Sequence, residues 1–183
     1  MSSWLLTWNE NKTYWDNYEK DCEKASKETP LVFTWSCCSP KIQTGDEVYL
    51  IRLGKNPRGI IAHGIVTQDV FQDEHWDEEK AAQGKLAYYV EAEYDTFLNY
   101  HKEEILDISV LNEKCNGQFW SPQQSGIRIK DSVIQTLREL WAEVTKEYPQ
   151  NPEESSYYTE GTKKTVYTTK YERDPKVRRI FLK

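Results

Sequence analysis

The stretch Thr34–Val66, TWSCCSPKIQTGDEVYLIRLGKNPRGIIAHGIV, decides how the rest of the chain is read. Glu47–Leu53 and Gly59–Thr67 are dense in β-branched and aliphatic residues, and Gly54, Asn56, Pro57 and Gly59 between them break strands, which predicts an antiparallel hairpin. Ahead of it, Trp35 opens a polar loop of Ser36, Cys37, Cys38 and Ser39, followed by Pro40, Lys41 and a Thr44–Asp46 turn. Such a loop stays at the surface, because buried whole it would strand its backbone polar groups. A tryptophan at the lip of a sheet, beside hydroxyls and free amides, is a wall for a flat ligand.

Working outward, Trp4–Trp8 (WLLTW) is a short apolar run that predicts a first, buried strand. Thr13 and Asp16 resemble a capping box, and Tyr14, Tyr18, Cys22 and Ala25 recur at helical spacing through Ser26. Leu31–Trp35 is a second strand. Beyond the hairpin, residues 68–84 read as an acidic connection with one isolated tryptophan, Trp76, which either plugs onto the core or sits over a site. Leu86–Thr96 alternates as a half-buried strand does. Ile105–Val110 has no clear type, residues 112–126 form a loop, and Gly126–Ile129 is a short strand. Asp131 or Ser132 then caps a helix whose Val133, Ile134, Leu137, Leu140, Trp141 and Val144 make one apolar stripe ending by Pro149. Five to six strands without regular βα alternation predict an α+β domain over residues 1–148, a bent sheet or open barrel flanked by helices, and then a polar, basic linker over 149–183.

The chain has 183 residues, enough for one domain with a real core, and a formal charge of −6. Residues 162–183 hold eight basic and two acidic residues, so residues 1–161 hold sixteen against twenty-eight and carry −12. A body so acidic does not hold nucleic acid by bulk charge, and affinity of that kind would need a local pocket. With seven tryptophans, three or four are expected in the core before any is given to function. Cys22, Cys37, Cys38 and Cys115 make no CxxC pair and lie far from the three histidines, so no zinc site or cofactor is expected. Polar serines after Met1 and free thiols point to a reducing cytoplasm. His63 is a lone strand histidine, His75 lies in an acidic loop, and no Ser or Cys has an evident base, so this chain is not expected to be an enzyme.

The order WLLTWN, TWSC, KIQTGDEVYLIRLGKNPRGIIAHGIV, an acidic HWD segment, then WSPQQSGIRI running into a helix closely resembles the EVE domain over residues 2–147. That family belongs with YTH and ASCH domains to the PUA-like superfamily. The resemblance implies a bent, partly closed barrel that takes a flipped modified base into an aromatic cage. In YTH domains a cage tryptophan sits in a Trp-Ser motif where TWSC falls here, so Trp35 and Ser36 inherit that role most directly. Trp76, Trp8 and Asn9 follow more loosely, and Asn9 is equally a turn cap. Gln124 and Ser125 either meet the base edge, which amide and hydroxyl groups suit, or only turn the chain into the last strand. Lys41, Arg52, Lys55 and Arg58 either contact phosphates or are solvated loop charges. The tail, with YERDPKVRR, looks like the linker ahead of an HNH nuclease domain in modification-dependent endonucleases, which implies that domain as a partner in the same polypeptide. The function implied is a reader of modified DNA, 5-methylcytosine or its hydroxymethyl form, with modified RNA or a small molecule as alternative ligands.

Overall fold

The computed structural model describes residues 1–25 and 29–146. The basic linker, residue 26 of the expected first helix and residues 147–149 at the expected end of the last helix lie outside the described residues. Seven strands and four helices follow in the order β1 (Ser3–Asn9), α1 (Tyr18–Lys24), β2 (Leu31–Cys37), β3 (Glu47–Leu53), β4 (Gly59–Glu74), α2 (Glu78–Ala82), β5 (Leu86–Phe97), β6 (Leu106–Asp107), α3 (Ile108–Lys114), β7 (Ile127–Arg128) and α4 (Asp131–Thr145). They form one mixed sheet in the order β2-β5-β4-β3-β1-β7, with β6 paired to β4. This is an α+β, PUA-like architecture.

The hairpin is central. Strand β3 is buried along its whole length, because it lies between β4 on one side and β1, running parallel to it, on the other. One of its faces packs into the barrel. On the other, Tyr49 meets Trp141 of α4 edge to face, with ring centroids 6.1 Å apart. Ions lock that contact. Glu47 accepts from Arg138 of α4 at 2.9 Å, from the Ser3 hydroxyl at 2.7 Å and from Tyr49 at 2.9 Å, while His63 lies 3.1 Å away and also reaches Asp95 at 3.3 Å.

Several expectations are corrected. Strand β4 runs on to Glu74, and its pairing continues from Gln68–Glu91 to Glu74–Leu86 through one irregularity between Gln68 and Phe71, so most of the acidic connection is a two-stranded arm closed by α2. Asp77 caps α2 through the amides of Glu79 and Lys80. The first helix starts at Tyr18 rather than near Thr13, and no side chain caps it. The reason is the segment before it: the amides of Lys12 and Thr13 both donate to the Asn9 carbonyl, a tight turn that brings Trp15 in to bond Asp21. The untyped stretch is β6 and the start of α3, and strand β2 reaches Cys37, so Trp35 stands inside a strand instead of opening a loop. Four tryptophans are buried, Trp4, Trp8, Trp120 and Trp141, in line with the three or four expected. No helix among the described residues is long and apolar enough to cross a membrane.

Candidate nucleobase seam and the cleft beside it

The sheet bends until its two edges approach, but it does not close. Strand β2 pairs only with β5, and β1 pairs with β3 and β7. The accounting of backbone groups explains why no ladder forms between β1 and β2. The Thr7 carbonyl accepts from the Trp35 indole nitrogen at 2.9 Å, and the Thr7 amide donates to the Ser125 hydroxyl at 3.1 Å. With both groups of Thr7 taken by side chains, the edges are held at a side chain's distance. One backbone bond steadies the far side of this seam, from the Cys38 amide to the Ser125 carbonyl at 2.8 Å.

Trp35 is half-buried. Phe33, two residues earlier on the same face of β2, and Trp15 back it, with ring centroids 5.7 Å and 5.3 Å away, and Trp15 in turn stacks on Phe33 at 4.9 Å. The indole is therefore fixed at its N–H and along one side while part of the ring stays open. Ser36, its neighbour in the strand, leaves the opposite face of the sheet, so the Trp-Ser pair does not line one surface.

Next to the seam lies an open cleft of about 520 Å³, between the start of β1, the 38–41 loop and the stretch entering β7. Lys41, Ser39, Gln124 and Arg128 line it, and Trp35 does not. Gly126 lets these walls meet. Its φ of +86° belongs to the left-handed region, and a Cβ there would stand 3.0 Å from the Cys37 Cβ and 3.3 Å from the Cys38 nitrogen.

The remaining site candidates divide. Ser125 is in the seam, and Gln124 and Lys41 are in the cleft. Trp8 is a correction: it is 3 % exposed, its indole donates to the Thr13 carbonyl, and Trp15, Tyr18 and Tyr100 surround it, which leaves no face for a ligand. Arg52 is another. It is 2 % exposed, paired with Glu10, bonded to the carbonyls of Lys55 and Pro57, and stacked over the Tyr100 ring at 3.8 Å, so no phosphate reaches it. The Asn9 side-chain oxygen accepts from the Asn11 amide, as a turn cap does. Lys55 and Arg58 sit at the β3–β4 turn, the opposite end of the sheet from Lys41 and Arg128, as the pairings Asn9–Leu53 and Trp4–Arg128 fix. Trp76 is 52 % exposed just past the end of β4, against His75, away from both seam and core. Thr7, Trp15, Gly126 and Arg128 were missed by sequence reasoning. Thr7 and Ser125 are 118 positions apart, and nothing local in either segment marks the contact.

No protein-family model matches the chain, and no curated protein matches it in sequence. Solved structures share its fold. Human THYN1, solved in complex with 5-methylcytosine-containing DNA, is 12% identical over 81% of this chain and 100% of its own, with a TM-score of 0.52. ZmASCH from Zymomonas mobilis is 11% identical over 76% and 99%, with a TM-score of 0.50, and a protein from Pseudomonas putida is 12% identical over 76% and 99%, with a TM-score of 0.53. At such identities the likeness is one of fold: this chain has the PUA-like fold that the ASCH protein and THYN1 have.

Proposed function

We propose that this protein, read as an EVE domain, recognises a modified nucleobase in DNA by taking the extruded base into the seam between β1 and β2. The observation that carries the reading is the seam itself, kept from zipping by Trp35 and Ser125 with the Trp35 ring half-open and its edge fixed on Thr7. A flipped base loses a few kcal/mol of stacking and pairing. An aromatic wall returns about 1 to 3 kcal/mol per base, and a ring already held by Trp15 and Phe33 loses little freedom in doing so. Ser125, which bonds the Thr7 amide in the seam, and Gln124, in the adjoining cleft, supply the hydroxyl and amide that a base edge needs. The fold shared with THYN1 supports DNA and 5-methylcytosine as the first ligand to test.

Residues 162–183 support a wider role for the reader, as the specificity module of an HNH endonuclease, on their sequence likeness alone. The chain as given then binds and does not cut. Fluorescence anisotropy with short oligonucleotides in four forms, DNA and RNA, each with and without 5-methylcytosine, tests the reading. Preference for methylated DNA is expected. Preference for methylated RNA would move the reading to its alternative, and equal binding of all four would refute it.

A further inference from the structure

The body carries −12, yet the cleft beside the seam is lined by two cations, Lys41 and Arg128, and by no carboxylate. Behind its wall, Asp46 has both oxygens occupied, one by the Ser2 amide at 2.8 Å and the other by the Trp4 indole at 2.8 Å and the Gln43 amide at 3.1 Å. Arg128 makes only long contacts, 3.3 and 3.4 Å, to Asp131, which is largely exposed, and such a pair costs little to exchange. Lys41 is exposed and has no carboxylate partner among the described residues. The hydroxyls of Ser2 and Ser39 and the Gln124 amide complete a polar lining without a free aromatic face, since Trp4 is buried and its indole is spent on Asp46. A base would find nothing to stack on here, but a phosphodiester would find charge and donors.

We infer that this cleft seats the phosphodiester adjacent to the extruded base, with Lys41 and Arg128 on either side of it; the inference rests on the seam reading above. The Cys38–Ser125 backbone bond joins the two sites, so the cleft adjoins the seam and offers the nearest cationic seat to the phosphate beside a base that enters it. Past Lys41 the same loop meets the β4–β5 arm, where the Thr44 amide and hydroxyl donate to Asp69 at 2.8 and 2.9 Å, so a strand laid that way meets an acid. The nucleic acid therefore passes on the β7 side.

The test is anisotropy titration of methylated and unmethylated duplex oligonucleotides across a KCl series, with wild type, Lys41→Ala, Arg128→Ala, Arg128→Lys and Lys55→Ala. Each lost cation should lower the slope of log K against log salt by about 0.9 and weaken both oligonucleotides by the same factor. Arg128→Lys should restore the slope, and Lys55→Ala, at the far end of the sheet, should leave it unchanged. Wild-type slopes in both alanine variants, or an equal loss in Lys55→Ala, would overturn the inference. Slope loss in a protein that binds methylated and unmethylated DNA equally would keep the phosphate seat and sink the base reading; a discriminating protein whose slope survives both variants would do the reverse. A wild type that binds no oligonucleotide overturns both.

Discussion

At the end of the sheet where β3 turns into β4, a buried guanidinium is consumed from within: Arg52 is held by Glu10, two carbonyls and the Tyr100 ring. At the end where β2 leaves the sheet, Lys41 and Arg128 remain at the surface with weak partners or none among the described residues, and Trp35 keeps part of its ring free. The same residue types serve opposite ends. What separates them is whether the chain returns to cover them, as residues 10–18 and Tyr100 do at the first end, and nothing among the described residues does at the second. A polar or aromatic group left open next to a gap that the backbone declines to close is free to meet a ligand, and one that is covered is part of the fold.

The largest effect that would sharpen this contrast is at Trp8. Trp8→Ala empties a site ringed by Trp15, Tyr18 and Tyr100 and should cost about 3 to 5 kcal/mol in denaturant unfolding, whereas Trp35→Ala should cost clearly less. Equal losses would mean that the seam is core.

The ion lock under α4 belongs to the covered part and should show in the pH dependence of stability. Burial alone would lower the His63 pKa, but Asp95 and Glu47 outweigh it and lift it to about 9, from 6.5 when unfolded. A raised folded pKa gives stability that is complete below about pH 6.5 and lost as pH climbs through 9, up to about 3 kcal/mol. For Glu47, burial would raise the pKa, but hydrogen bonds from His63, Arg138 and Ser3 hold it well below 4.5, so its share is present above pH 4.5 and lost as the pH falls further. Melting temperatures from pH 4 to 10 should fall on both sides of a plateau, and His63→Gln should flatten the alkaline limb. An unchanged limb in that variant would remove the lock from the account.

A smaller effect is expected where the seam and cleft walls touch. Gly126→Ala places a Cβ 3.0 Å from Cys37 at a left-handed φ, which should cost about 1 to 2 kcal/mol and weaken oligonucleotide binding by splaying the walls. Wild-type affinity in a correctly melting variant would show that the two walls act independently.

The strands were legible because Glu47–Leu53 is dense in β-branched and aliphatic residues between strand breakers and Leu86–Thr96 alternates, and α4 because its apolar stripe has helical spacing. The start of α1 was not, since a turn built on the Asn9 carbonyl overrode the helical spacing of Tyr14, which is 79% exposed. The acidic arm was hidden for a related reason: polar residues paired on both sides give no alternation to read. Among the tryptophans, the resemblance pointed to Trp35 more directly than to Trp8, but nothing local marked Trp8 as core, since each is a strand tryptophan followed by a small polar residue. The difference lies in which segments fold back over them. Ser125 and Gln124 were read either as base-edge groups or as a turn into the last strand, and the Ser125 carbonyl bonds Cys38, but Arg128 and Thr7 join that region only through pairings of the bent sheet.

Trp35 is the residue on which the proposed base recognition in the seam depends most. Binding of a 5-methylcytosine oligonucleotide and its unmethylated twin should be compared in wild type and Trp35→Ala, after the variant's fold is verified by circular dichroism. Wild type should prefer the methylated DNA, and the variant should bind it about 5- to 150-fold more weakly, equivalent to losing one stacked base, with the preference abolished. A folded Trp35→Ala variant that keeps the affinity and preference of wild type would contradict base recognition in the seam.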